Sequence, residues 1–396
     1  MLSASEELFD LRKFNMFTYS VVMPCLNEEL TLKGCILEAR AGAEQANYIA
    51  EIIVADNGST DRSIAIAEEL DCKVVRVAKR GYGAALDAGI KSATTPFVVM
   101  GDSDQSYDFS EAPKFIEALV NGADFVIGNR FAGGIEPGAM PWHHKYIGNP
   151  ILSFIGRQFF KIPISDFHCG LRAVRLTKYI EAQPTTTGME YATEMIARLA
   201  NIEAKFVEIP TKLRKDGRNR KPHLRSFPDG WRHLKMMLLF SPQYFQLYPG
   251  LILFVLGTLG LSSLAMTGEI NLLFATGSIQ TSLFSLVSFT VGLQLTAASF
   301  ITMAVAKAKA ITRFKPWKMI EIIVTSNLFL WISASLLILG MAALFGIGGA
   351  WFSSDFPSVD PILESRKTIP LIALVIAGAQ GLLCSIQVRQ VLSRFW

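Results

Sequence analysis

The sequence predicts an α/β domain on a mainly parallel sheet, followed by an α-helical transmembrane domain of four spans. Two observations carry this. The first 240 residues alternate short apolar runs with helix-patterned segments, which implies crossover units and a sheet covered on both faces. From Tyr248 onward come four long uncharged stretches: "YPGLILFVLGTLGLSSLAM", "TSLFSLVSFTVGLQLTAASFITMAVA", "IIVTSNLFLWISASLLILGMAALFGIGGA" and "TIPLIALVIAGAQGLLCSIQV". Each reaches the roughly 20 residues that a helix needs to cross a bilayer. Four in series argue against core helices of a soluble fold, as does a charged content of only 18%.

Residues 1–18 read as a polar N-terminal extension without the apolar stretch of a signal peptide, so the domain after it is expected to stay in the cytoplasm. The α/β domain is expected over 19–226. Its strand candidates are "YSVVM", "EIIVA", "CKVVRV", "PFVVMG", "DFVIG" and "KFVEIP". Between them lie helical patterns such as "ELTLKGCILEARAGAEQ", "DRSIAIAEEL", "GAALDAGIKSA" and "SEAPKFIEALVNG". The long loop "NRFAGGIEPGAMPWHHKYI", rich in Gly and Pro, reads as functional.

From Lys205 to Lys235 ten Lys/Arg face three acidic residues. The chain then enters 227–245, an amphipathic segment in which Phe227, Trp231, Leu234, Met237 and Leu238 share one helical face. A basic amphipathic segment just before a span is expected to lie in the headgroup layer. The membrane domain follows over 246–396, with spans at about 248–266, 281–306, 322–347 and 369–388. Lys307, Lys309, Arg313, Lys315 and Lys318 lie between spans two and three, whereas the loop before span two has Glu269 and no base. The positive-inside rule then puts both termini in the cytoplasm. The five cysteines form no C-x-x-C and read as reduced thiols. His143, His144 and His168 beside Cys169 lack metal-type spacing.

The polar residues cluster after apolar strands, and in such sheets ligands sit beyond the carboxyl ends of strands. In "VVMGDSDQSYD", Asp102 and Asp104 stand two apart and point to the same side. They can converge on one hard cation, a chemistry that suits a nucleotide diphosphate. The alternative is a turn in which Asp and Ser merely cap the next helix. "VVMPCLNEE" and "IIVADNGSTDRS" bring Asn27, Glu28, Asp56, Asn57 and Ser59 to the same edge, although Asn57-Gly58 also reads as a turn and Asp61 as a helix cap. "RGYGAALDAG" does not follow the first strand, so it is not a dinucleotide fingerprint. Gly81 and Gly83 more plausibly let the backbone come close to a donor.

Taken in order, "VVMPCLNEE", "ADNGSTD", "GYGAAL", "GDSDQSYD", "GNRF" and "SDFHCGLRAVR" resemble glycosyltransferase family 2, nearest its polyprenyl-phosphate sugar synthases. The resemblance covers about Tyr19 to Lys235. It implies a GT-A, Rossmann-like fold and a metal-dependent, inverting transfer from a nucleotide-diphosphate sugar, UDP- or GDP-linked. By likeness, Pro24, Glu28 and Asp56 line the nucleotide pocket with Asn27 beside them, and Asp102 and Asp104 hold the metal. Arg130 and Arg172 match arginines near phosphates, and Asp166 matches a required acid. Arg214, Gly217 and Arg220 or Lys221 resemble a basic "R-x-x-G-x-x-K" ending. The sequence departs from the pattern at Ala55-Asp56-Asn57, which keeps one carboxylate, and at Ser106, where relatives carry Gln. It departs again at His144 and Gly148, which would shift phosphate gripping to Lys145 or the histidines.

The expected reaction moves a glucose or mannose onto a polyprenyl phosphate held in the membrane. The acceptor phosphate would be met by Arg172, Arg214, Arg218, Arg220 and Lys221, whose charge also suits the cytoplasmic flank of a span. Asp104, Asp166 and Arg172 are the expected catalytic groups, with Asp166 orienting a sugar hydroxyl or the metal shell or, as the lesser alternative, acting as general base, and with Mg2+ or Mn2+ as the cation that the resemblance implies. The membrane is the expected partner, nucleic acid is not, and the spans could assemble a homo-oligomer. Two rival readings are a processive polysaccharide synthase, which should carry a Q-x-x-R-W motif that this chain lacks, and a non-catalytic lipid-binding protein.

Overall fold

The computed structural model describes residues 18–219, 226–267, 279–308, 317–354 and 361–393. The chain forms two compact units, Met1–Met237 and Leu238–Trp396.

The first unit is built on seven strands: β1 (Thr18–Cys25), β2 (Ile49–Asp56), β3 (Lys73–Arg76), β4 (Phe97–Met100), β5 (Phe125–Asn129), β6 (Arg172–Arg175) and β7 (Phe206–Pro210). Their spatial order is β3-β2-β1-β4-β6-β5-β7. All pairings are parallel except those of β6, which runs antiparallel to both β4 and β5. The central strands are continuous apolar runs because helices cover both faces. Val21, Val22, Ile53, Val98, Val99 and Val126 are all fully buried, each worth about 1.5–3 kcal/mol on leaving water. The helix Leu32–Gln45 buries Leu32, Cys35, Ile36, Ala39 and Ala43, a 3.6-residue stripe. The helix Ala112–Val120 starts on Pro113 and buries Phe115, Ile116 and Leu119.

Six of the seven strands coincide with the apolar runs. The seventh, β6, is absent from the expected set because "RAVR" begins and ends in arginine. Register explains its importance. Arg172 opposes both Met100 of β4 and Ile127 of β5, so its antiparallel start meets the carboxyl ends of its neighbours.

The first compact unit runs to Met237, inside the segment expected over 227–245, and the helix Ser226–Phe240 contributes buried residues to it. The expected apolar face also splits. Met237 is buried in the core with the polar Asp229 and His233, whereas Phe227 and Trp231 are 88% and 62% exposed.

Among the described residues of the second unit, four helices are long and apolar enough to cross a membrane: Gln243–Met266, Gln280–Lys307, Asn327–Ser353 and Leu363–Ser393. The first two approach closely, since a Cβ on Gly257 would lie 2.2 Å from the Phe289 nitrogen. The third span begins later than expected. Ile322–Val324 close a separate helix, Trp317–Val324, and Ser326 caps the next one by accepting the Phe329 N–H at 3.1 Å.

Candidate active site

A cleft of about 400 Å³ opens in the first unit, and its lining includes Asp102, Asp104, Arg130, Arg172, Arg214 and Arg218. Six of the expected residues thus come together around one space. Strand β4 ends at Met100, and the turn that follows carries both aspartates past the sheet edge. The Tyr82 hydroxyl donates to Asp102. Desolvation, followed by the charge of Asp104, pushes the Asp102 carboxyl up to about 6. Asp104 accepts from the Ser106 N–H at 3.0 Å and the Ser106 hydroxyl at 2.5 Å. Its other oxygen lies 3.1 Å from Arg218 Nη2. Ser106, in the place of the expected Gln, therefore fixes the rotamer of Asp104.

Two crowded carboxylates on one strand end fit a hard divalent cation, whose charge would relieve their repulsion. Among the described residues no group of three or more His, Cys, Asp or Glu gathers as a cage. A cation here would complete its shell with water and substrate oxygens. Gly170 makes room for this arrangement, since a Cβ there would lie 2.7 Å from Asp102 Oδ2 and 2.9 Å from Tyr107 Cε2.

A strap after β7 crosses the same turn. Arg214 N–H donates to the Ser106 carbonyl and Gly217 N–H to the Asp104 carbonyl, both at 2.9 Å. Arg218 then reaches Glu28, Nε to Oε2 at 3.0 Å and Nη2 to Oε1 at 3.0 Å, as well as Asp104. Arg214 pairs with Glu38 at 2.7 Å and with Asp108. Arg220 and Lys221 lie outside the described residues.

Arg130 and Asp166 form a buried pair: Nε–Oδ2 and Nη2–Oδ1 are both 2.7 Å, and the Arg130 N–H adds a third bond at 3.0 Å. Both Asp166 oxygens accept from Arg130, so Asp166 holds that arginine at the cleft, and Asp166 is itself absent from the cleft lining. Arg172 also differs from expectation. Its guanidinium donates to the carbonyls of Cys169 (2.7 Å), Ala192 (2.8 Å) and Phe167 (3.0 Å). Three carbonyl acceptors make Arg172 a brace for the cleft wall more than a free phosphate grip.

The remaining expected donor residues stand beside the cleft and are absent from its lining. The Pro24 carbonyl accepts from the Ser103 hydroxyl at 2.7 Å. Asn27, in the left-handed region (φ 58°), accepts the Thr60 N–H at 2.7 Å. Asp56 caps its own turn, taking the N–H groups of Gly58 at 3.1 Å and Ser59 at 3.0 Å. Gly81 and Gly83 allow close approach to the chain itself. Gly83 N–H donates to the Thr187 carbonyl at 2.9 Å, and a Cβ on Gly81 would lie 2.0 Å from that oxygen. His144 lines the cleft, and Lys145 instead sits 5.4 Å from the Tyr146 ring centre.

Among the lining residues that escaped sequence reasoning in this role are His168, Asp229 and His233. The one available signal was the i, i+4 spacing of Asp229 and His233, which places them on one helical face.

With this geometry in hand, comparison with known proteins is informative. The family model described as Glycosyl transferase family 2 matches residues 20–181. The low-salt glycan biosynthesis hexosyltransferase Agl6 of Haloferax volcanii is 39% identical over 246 residues, 62% of this chain and 59% of that protein. An uncharacterized glycosyltransferase of Mycobacterium tuberculosis is 32% identical over 191 residues, 48% of this chain and 82% of the relative. The dolichyl-phosphate hexose transferase of Haloferax volcanii is 28% identical over 196 residues, 49% of this chain and 82% of the relative.

Proposed function

Because the chain belongs to glycosyl transferase family 2, we propose that it is a membrane-bound hexosyltransferase acting on a polyprenyl phosphate. The donor would be a UDP- or GDP-linked glucose or mannose, and the transfer would invert the anomeric centre. One observation carries this reading: the Asp102/Asp104 pair opens into an arginine-lined cleft, in a chain with four membrane-length helices. The names of Agl6 and of the dolichyl-phosphate hexose transferase support the hexose and the lipid phosphate.

Asp102 and Asp104 would hold Mg2+ or Mn2+, which when bound neutralises the donor diphosphate and stabilises it as a leaving group. The chain's own residues do the positioning. Arg130, set by Asp166, and Arg214 and Arg218, held by their own carboxylate partners, line the cleft and would offer N–H groups to phosphate oxygens. The acceptor phosphate has a second pKa of about 6, so it attacks as a dianion and needs no strong general base. Attack opposite the departing diphosphate inverts the carbon. Catalysis then rests on orientation and charge.

The acceptor's tail would stay in lipid, with the first unit and both termini on the cytoplasmic side, as the Lys/Arg bias between spans two and three favours. The exposed Phe227 and Trp231 suit a headgroup layer.

The test is transfer itself. Membranes containing the protein receive labelled UDP-glucose or GDP-mannose, polyprenyl phosphate and Mg2+ or Mn2+. Label in a mild-acid-labile lipid that disappears with EDTA is the expected result. Label in polymer would favour a processive synthase. No label from any donor, or equal transfer in EDTA, overturns the proposal.

A further inference from the structure

His168, His233 and Asp229 share the cleft but have no part in the transfer chemistry above. His168 lies in the loop before β6, and Asp229 and His233 lie one turn apart on the helix Ser226–Phe240. The two imidazoles meet edge to face, with centroids 4.7 Å apart. The fully buried Thr193 bonds His233 Nδ1 at 2.8 Å and fixes that ring. His168 Nε2 is buried and has no hydrogen-bond partner among the described residues. Buried polar atoms are nearly always paired, so an unpaired nitrogen on a residue that lines a cleft points to a ligand.

The chemistry of the cluster narrows the ligand. Burial first, then His233, Arg130 and Arg172, holds the His168 ring well below its ordinary pKa. Burial first and then Arg172 push His233 down to about 4, with Asp229 opposing less strongly. Both rings are therefore neutral near pH 7, each with one N–H donor and one acceptor nitrogen. That pattern matches sugar hydroxyls. Asp229, paired with Arg232 at 3.2 Å, brings a carboxylate, the natural acceptor for a hydroxyl, to the same wall of the cleft.

We propose that His168, supported by His233 and Asp229, forms the subsite for the donor's hexose ring, with His168 Nε2 bonded to one ring hydroxyl. This rests on the transferase reading and assigns it a sugar-selecting residue. A site built to pair a hydroxyl discriminates strongly against the analogue that lacks it. Thr193 is a positioning residue that acts through His233.

Binding by the full-length protein in detergent with Mn2+ tests this, using UDP, UDP-glucose, GDP, GDP-mannose and singly deoxygenated forms of the sugar nucleotide that the wild type binds. His168→Phe keeps a ring but removes both nitrogens. It should leave the affinity for the nucleotide diphosphate within about twofold and weaken the sugar nucleotide by about tenfold or more. In the wild type one deoxy donor should show a matching loss, and in His168→Phe that donor should no longer be distinguished. Thr193→Val should show a smaller loss of the same kind, and it decides the matter if His168→Phe does not fold. Undiminished discrimination among deoxy donors in the folded variants overturns the subsite. A wild type that binds no sugar nucleotide overturns the transferase reading instead, and the subsite with it.

Discussion

Arg130 and Asp166 meet through two parallel 2.7 Å contacts, Nε–Oδ2 and Nη2–Oδ1, on a side chain that is 9% exposed against one that is fully buried. This fork fixes one cleft arginine and engages both carboxylate oxygens.

Breaking the fork should therefore cost stability before chemistry. Removing one partner of a buried pair leaves a charge uncompensated, at about 3–5 kcal/mol. Asp166→Asn should lower the thermal midpoint of the detergent-solubilised protein along with its activity. The double variant Arg130→Met/Asp166→Leu should recover most of the stability and none of the transfer. An Asp166→Asn protein of normal stability but without transfer would instead make Asp166 a chemical participant.

Asp104→Asn should behave in the opposite way. The amide oxygen can still accept from Ser106, so expression and membrane insertion should stay normal. Mn2+ binding should weaken, and transfer should fall by about 10²-fold or more. Gly170→Ala should reach the same outcome indirectly, because the new methyl crowds Asp102 Oδ2 against its Tyr82 bond. Mn2+ titration of both variants checks the pair. Wild-type affinity in Asp104→Asn would remove the metal assignment.

The His233 ring predicts an acid limb in stability. Its folded pKa of about 4 lies below the ordinary 6.5, so between those values the unfolded chain binds more protons than the folded one. Stability is unaffected above pH 6.5. It falls as pH drops through the window, by up to about 3 kcal/mol. His168, displaced in the same direction, adds to the slope. His233→Asn should flatten the decline in thermal midpoint from pH 6.5 to 4, and an unchanged slope would contradict the buried neutral ring.

Trp231, exposed on the helix that precedes the first span, should sit among lipid headgroups. In vesicles with bromine placed near the headgroup, the fluorescence that disappears in Trp231→Phe should be the quenched part. Emission from Trp231 that responds only to an aqueous quencher would place this face in water.

The sequence made most of the sheet legible, because a strand buried on both faces must be an unbroken apolar run between turn residues. Strand β6 obeys a different rule. Arg172 and Arg175 can occupy a central strand because their guanidinium groups reach the carbonyls of Cys169 and Leu119, among others. Satisfaction of that kind has no local pattern. The break before the third span was hidden for a related reason, since Ile322–Val324 are as apolar as the span itself and only the Ser326 cap separates them. Asp102 and Asp104 were readable from their place after a strand, and the cleft arginines from the family resemblance and the basic run before the first span. His168 and His233 were not, being 65 positions apart and joined only by folding.

The position of β6 also sets an order of assembly. β4 and β5 are not neighbours in the sheet, since each pairs with the strand that lies between them. A nascent chain that has emerged only as far as Gly170 can zip together β3, β2, β1 and β4, yet it must leave the wholly apolar edge "FVVM" unpaired and β5 adrift. Such an open edge invites pairing with other chains. Strand β6 is thus the piece that closes the sheet: once Arg175 has emerged, it covers the open edge of β4 and ties β5 to it, ahead of the membrane segments in the chain.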